Sequence, residues 1–77
     1  MKAGRLQIND KFICLASGWF HPQKELGISQ GQVLVVKKWI LIGDKKVLAT
    51  IIETGKEVEV PFHCLVLKLI MLPSEPR

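Results

Sequence analysis

The chain has 77 residues, of which 48% are hydrophobic, and it carries a net charge of +4. A chain of this length has room for one domain and one small core, which cannot bury so many apolar side chains. The longest apolar run, residues 65–72, is interrupted by Lys68 and is far shorter than the roughly 18 residues of a membrane-spanning helix. We therefore expect a single domain over residues 1–77, no membrane segment, and an oligomer or a partner that covers an apolar face.

The charge and the two cysteines bear on the partner and the compartment. A basic chain suits nucleic acid or an acidic protein surface, although +4 is a weak field and many small domains are basic only for solubility. Residues 1–10 lack the apolar core of a secretory signal peptide. We therefore expect a cytoplasmic protein in which Cys14 and Cys64 are free thiols.

The first third of the chain predicts one strand and one long loop. Residues 1–9 are a polar lead-in, and residues 11–16 form a short apolar strand. Residues 18–31 contain three glycines and one proline without a regular period, which predicts a shaped loop. Within it, residues 23–26 can form a helical turn that Gly27 ends.

The rest of the chain is typical of an antiparallel sheet. Runs rich in Val, Ile, Leu and Thr are broken by Gly43-Asp44 and by Thr54-Gly55, residue types that favour tight turns. The strict alternation of apolar and acidic residues over 57–60 indicates a strand with one wet face. The predicted elements are strands at 32–42, 46–53, 57–60 and 65–72, a helical turn at 62–64, and a polar tail at 73–77.

This order resembles the SH3-like small β-barrels, and in particular the small SH3-like proteins of bacteria and phages. The resemblance rests on the turn and strand at 29–36, on the hairpin at 53–61 and on the proline–aromatic step into residues 62–67. It implies an all-β barrel of five or six antiparallel strands with one short helical turn before the last strand. It also implies a compact accessory protein or inhibitor, encoded by a phage or mobile element, that acts by binding a host protein.

Two stretches are candidate protein-binding sites. One is the loop tip Trp19, Phe20, His21 and Pro22, because aromatic rings next to proline give contact area at low entropic cost. In the alternative, one ring, Phe20 above all, folds back into the open end of the barrel.

The other stretch is the last strand, which is apolar on both faces although a barrel wall has one inner face. Its outward side would bind a partner or a second copy of the chain, and the alternative is cover by the N-terminal segment. The residues predicted on that side are Leu67, Leu69 and Met71.

The middle of the predicted sheet suggests a different function, which is nucleic-acid binding. Lysines beside an indole could follow a phosphate backbone and stack one base. The residues are Lys37, Lys38, Trp39, Lys45 and Lys46. In the alternative, they form a solvated strand end where lysine stems cover a half-buried tryptophan.

The sequence gives little support for metal binding or for catalysis. Cys14, His21, His63 and Cys64 are a zinc complement by number, but they lack the paired spacing of zinc ligands. A cysteine–histidine nucleophile has no orienting group beside it, and there is no glycine-rich phosphate loop. We therefore predict no catalytic residue, no metal site and no cofactor.

Overall fold

The computed structural model describes residues 1–17 and 20–70, and in these residues the backbone forms one antiparallel sheet of five strands. A 3₁₀ turn precedes the sheet and a short helix, α1, lies between the first two strands. Among the described residues, no helix combines the length and the apolar character that crossing a membrane requires. The elements are the 3₁₀ turn Ala3–Arg5, β1 (Lys11–Cys14), α1 (Pro22–Leu26), β2 (Leu34–Ile40), β3 (Lys46–Ile51), β4 (Glu57–Pro61) and β5 (Val66–Leu69).

The prediction of an all-β chain with a helical turn in the first long loop is confirmed. Pro22 opens α1, where its missing N–H costs nothing, and Gly27 ends it with a left-handed φ of 70°. Pro61 is the last residue of β4, where it lies opposite Lys46. Because β4 is an edge strand, a proline there removes no essential ladder hydrogen bond.

The sheet is open, with the strand order β4-β3-β2-β1-β5, and its two edge strands are consecutive in sequence. In a flat sheet those edges would lie about 19 Å apart. The connection between them is residues 62–65, which could span about 18 Å only if fully extended. It is not extended, because the Cys64 N–H donates to the Pro61 carbonyl over 3.0 Å. The sheet therefore has to curve.

A β-bulge in β2 contributes to this curvature. The register between β2 and β3 shifts between Val36 and Lys38, so Lys37 is the extra residue. Val36 is buried before the bulge, and Trp39 lies opposite the buried Val47 after it, so the strand changes which of its residues face inward.

The core lies on the concave side of the sheet. In β3 and β4 the buried residues alternate with exposed or half-buried ones, as predicted for Val58 and Val60. Loops close the ends of this layer with Leu6, Phe20 and Ile28. The largest fully buried side chains are Phe12, Leu6, Leu34, Ile51, Val36, Val47, Val60, Val66 and Cys64.

The N-terminal residues differ from the predicted lead-in. Ala3 and Leu6 are buried, and the 3₁₀ turn is fastened to the connection between β4 and β5. The Ala3 N–H donates to the Cys64 carbonyl over 2.8 Å, and the Gly4 N–H donates to the Phe62 carbonyl over 2.9 Å. The prediction of a polar lead-in is wrong, because Ala3 and Leu6 of this segment cover one end of the core.

The 3₁₀ turn approaches the β4–β5 connection so closely that only glycine fits at position 4. Replacement of Gly4 tests this contact. A Cβ at Gly4 would lie 2.9 Å from Cδ2 and 3.2 Å from Cβ of Phe62. We expect Gly4→Ala to lower the free energy of unfolding by about 1–3 kcal/mol, as overpacking does, measured by urea denaturation. Phe62→Leu makes room, so the double variant should lose less than the sum of the two single variants. Strict additivity would show that the two residues do not press on each other.

Candidate functional site

The convex side of the sheet carries exposed aliphatic side chains on β1 and β5. Because opposite residues of an antiparallel pair share a face, Ile13 lies beside Leu67 and Lys11 beside Leu69. The pattern continues past the strands, since the Leu15 N–H donates to the Leu65 carbonyl over 2.9 Å. Leu67 is 51% exposed, whereas Phe12, which lies between Lys11 and Ile13 in β1, is fully buried on the other side of the sheet. We call the surface formed by Ile13, Leu15, Leu65, Leu67 and Leu69 the outer apolar face.

The apolar surface continues onto β2 and β3. Val35 lies opposite both Lys11 of β1 and Thr50 of β3, so it shares their face. The next step of the ladder brings Ile52 beside Val33, where the Ile52 N–H donates to the Val33 carbonyl over 3.0 Å. Ile52 is 50% exposed. Four neighbouring strands of the described sheet thus present aliphatic groups to solvent on one side.

A groove of about 490 Å³ adjoins the outer apolar face. The groove forms because β1 and β2 pair only at Lys11–Val35 and Phe12–Leu34, after which the two strands separate. The end of β1 forms one wall, where Ile13 and Leu15 belong to both surfaces. The other walls come from α1 and from residues 28–31, with Ile28, Pro22 and His21 among the lining residues.

Positive charge lies around these two surfaces. Lys11 stands within the outer apolar face, between Leu69 and Val35. Lys2 forms an isolated bridge with Leu65 and so lies on the same side, and Lys24 lines the groove. A surface with an apolar centre and basic surroundings is complementary to a protein surface of acidic character.

The structure separates the predicted loop residues. Trp19 lies outside the described residues. Phe20 is 8% exposed and packs edge-on against His63, with ring centroids 6.5 Å apart, so the alternative of a ring folded into the core is the one found. Pro22 is also buried, at the start of α1. His21 is exposed and lines the groove.

The last strand places two of its three predicted residues together. Leu67 and Leu69 both belong to the outer apolar face, and Met71 lies outside the described residues. The N-terminal segment covers part of the β5 edge, since the Val66 N–H donates to the Met1 carbonyl over 2.8 Å. It covers an edge and leaves the outer apolar face exposed.

The predicted lysine and tryptophan cluster is divided between the two sides of the sheet. Lys38 and Lys46 lie on the convex side, opposite Leu48 and Ile40, whereas Trp39 lies on the side of the buried Val47. The Trp39 indole N–H donates to the Leu6 carbonyl over 2.9 Å, although the residue is 41% exposed.

Acidic residues of β4 accompany two of these lysines. Lys37 forms an ion pair with Glu57, and Nζ of Lys46 lies 3.4 Å from Oε1 of Glu59. Lys45 lies in the turn between β2 and β3 and lines a second surface depression with His63. These ion pairs depend on strand register and therefore cannot be recognised in the sequence pattern.

The four residues that are a zinc complement by number do not form one cluster. Cys14 and Cys64 contact each other through a hydrogen bond between their side chains, while His21 lies at the groove. Within residues 1–17 and 20–70, no group of three or more His, Cys, Asp or Glu side chains is placed to hold a metal ion.

The indole hydrogen bond identifies Trp39 as a structural residue, which a conservative variant can test. Trp39→Phe keeps a ring but leaves the Leu6 carbonyl without its donor, so we expect a loss of about 1 kcal/mol in the free energy of unfolding. Lys38→Ala, next to it on the opposite side, should change stability by less than about 0.5 kcal/mol. Equal effects of the two variants in urea denaturation would mean that the hydrogen bond does not support the fold.

Comparisons with known protein families, with curated proteins and with solved structures found no significant match to this chain.

Proposed function

We propose that this chain is a non-catalytic protein-binding module, an accessory or inhibitor protein that docks on a partner protein through the outer apolar face and the adjoining groove. One observation carries the proposal. The concave side of the sheet already holds a complete core, yet the convex side of β1 and β5 is also apolar. Leucine side chains left on a sheet surface reduce solubility unless another molecule covers them.

The contrast between strands of the same sheet strengthens this argument. An antiparallel sheet with one solvated side normally alternates apolar and polar residues. β4 follows that rule, with Val58 and Val60 buried and Glu57 and Glu59 exposed. The convex side of β1 and β5 breaks it, since leucines occupy positions where β4 has glutamates. The apolar surface extends from β1 and β5 onto β2 and β3, and the acidic positions of β4 lie outside it.

Charge favours a different protein over a second copy as the occupant. Two copies meeting through the outer apolar face and the groove would bring Lys2 and Lys24 of each chain towards the same basic residues of the other. Like charges at an interface oppose association, whereas acidic groups around an apolar patch would pair with these lysines. Self-association through β5, which the sequence also suggested, is the other outcome that the experiment below distinguishes.

We also propose that the curved sheet is a partly open barrel of the SH3-like type. The pairing of the last strand with the first, the bulge in β2 and the turn before β5 support this proposal. The groove between β1, α1 and residues 28–31, beside the long connection after the first strand, also supports it.

Nucleic-acid binding is the less well supported function. Stacking of a base on Trp39 and contact of phosphates with the convex lysines would require both on one side of the sheet. Glu57 and Glu59 also bring negative charge to the convex side, where they pair with Lys37 and Lys46. Both features weaken a phosphate-binding surface.

Leu67→Asp tests the docking surface, with Ile42→Asp as the matched control. Both replace an exposed aliphatic residue by aspartate, but Ile42 is 90% exposed in the turn after β2, away from the outer apolar face. A central interface leucine contributes about 2 kcal/mol, so Leu67→Asp should weaken partner binding about 30-fold. Binding is measured by quantitative affinity capture from source cells and then by calorimetry with the purified partner.

The same variants separate the other outcomes. A partner retained by the wild type and by Ile42→Asp, but lost by Leu67→Asp, supports the proposal. Loss with both variants, or with neither, would exclude the outer apolar face as the site. A dimer in multi-angle light scattering that Leu67→Asp dissociates would assign the face to self-association.

Titration with a fluorescently labelled single-stranded oligonucleotide tests the alternative function. We expect no binding at about 0.15 M salt, because the exposed field of the chain is weak and screened. If the oligonucleotide binds at this salt concentration, and Lys38→Ala and Lys45→Ala reduce the affinity, nucleic-acid binding replaces protein docking as the function.

A further inference from the structure

Cys14 and Cys64, the two cysteines of the chain, meet on the concave side of the sheet although they are 50 positions apart in sequence. Cys14 lies opposite Val66 in the β1–β5 ladder, so Cys64, two residues earlier, is its diagonal neighbour on the same face. Cys64 belongs to the buried core and Cys14 packs against it. The contact is a hydrogen bond between the two thiol side chains.

The two thiols differ in access. Cys64 is 1% exposed, whereas Cys14 is only partly buried and lines the groove. Cys14 is therefore the thiol that a small reagent in the groove meets, and Cys64 lies diagonally beside it in the β1–β5 register. An accessible thiol backed by a second thiol is the arrangement that converts a mixed disulfide into an intramolecular one.

The hydrogen bond also makes one thiolate easier to form. Because the Cys14 thiol donates to Cys64, the pKa of Cys64 is lowered. The same hydrogen bond, followed by burial, raises the pKa of Cys14. The pair thus loses its first proton more readily than its second, and the single negative charge lies mainly on Cys64.

We propose that Cys14 and Cys64 are a reversible disulfide site whose oxidant is a small-molecule disulfide such as oxidised glutathione. The Cys14 proton passes to the Cys64 thiolate, and the Cys14 sulfur attacks one sulfur of the oxidant, which forms a mixed disulfide and releases one thiolate. The Cys64 thiol then loses its proton to solvent and attacks the Cys14 sulfur, which forms the Cys14–Cys64 bond and releases the second thiolate. The two cysteines lose two protons and two electrons, and the oxidant becomes two thiols.

The cross-link would join the end of β1 to the connection between β4 and β5. It would close a loop of about 50 residues, which restricts the unfolded chain strongly. Oxidation should therefore raise the melting temperature, by an amount on the order of 10 °C. This proposal stands independently of the proposed function, because it requires no partner.

The test is equilibration of the reduced protein in glutathione buffers of graded ratio, followed by acid quenching, alkylation and intact-mass analysis. We expect a monomer that has lost two hydrogens and takes up no alkylating agent, with Cys14 and Cys64 peptides linked after proteolysis. Reduction should restore both free thiols and the original melting temperature.

Two variants assign the steps. Cys64→Ala should stop at a stable glutathione adduct on Cys14, because no second thiol resolves it, and in Cys14→Ala the buried Cys64 should react far more slowly. Since either variant could unfold, circular dichroism accompanies each, and the wild-type mass remains decisive without them. Wild-type protein that retains two alkylatable thiols, or that accumulates the glutathione adduct without the internal cross-link, would overturn the proposal.

Discussion

The short connection between the two edge strands constrains the whole molecule. β4 and β5 lie at opposite edges of the sheet, and residues 62–65 join them. The backbone hydrogen bonds from Ala3 and Gly4 fasten the N-terminal 3₁₀ turn onto this connection and close that end of the core. Curvature follows, with the core on the concave side. On the convex side of a curved sheet, side chains splay apart and shield one another less, so aliphatic residues there stay exposed to solvent.

β1 is the strand at which the functional proposals meet. Phe12 is buried in the core, Ile13 belongs to the outer apolar face and to the groove, and Cys14 contacts the second thiol. This combination arises because β1 is paired with β5 along its whole length but leaves β2 after Phe12. One side of the strand end is therefore open, which creates the groove beside residues that the sheet already holds rigidly.

Local sequence patterns predicted the strands and turns. Contacts between residues that are far apart in the sequence depend on the strand register, which local patterns do not reveal. The alternation around Val58, the turn glycines and the stop at Gly27 are local signals, and the structure agrees with them. The bulge at Lys37 shifts the register by one residue and moves Trp39 to the other side from Lys46, which no local pattern reveals. The contact between the two cysteines likewise depends on the pairing of the first strand with the last.

A leucine side chain contributes to the free energy of folding in the core, but not to the same extent in the outer apolar face. Leu34 is fully buried and stabilises the isolated chain, whereas Leu67 remains half exposed and gains little from folding alone. The free energy that burial of Leu67 can supply is therefore still available for association. The lysines around it add orientation and rate more than affinity. A rigid apolar surface on paired strands, with charges around it, binds a partner without having to order itself first, which lowers the entropic cost of association.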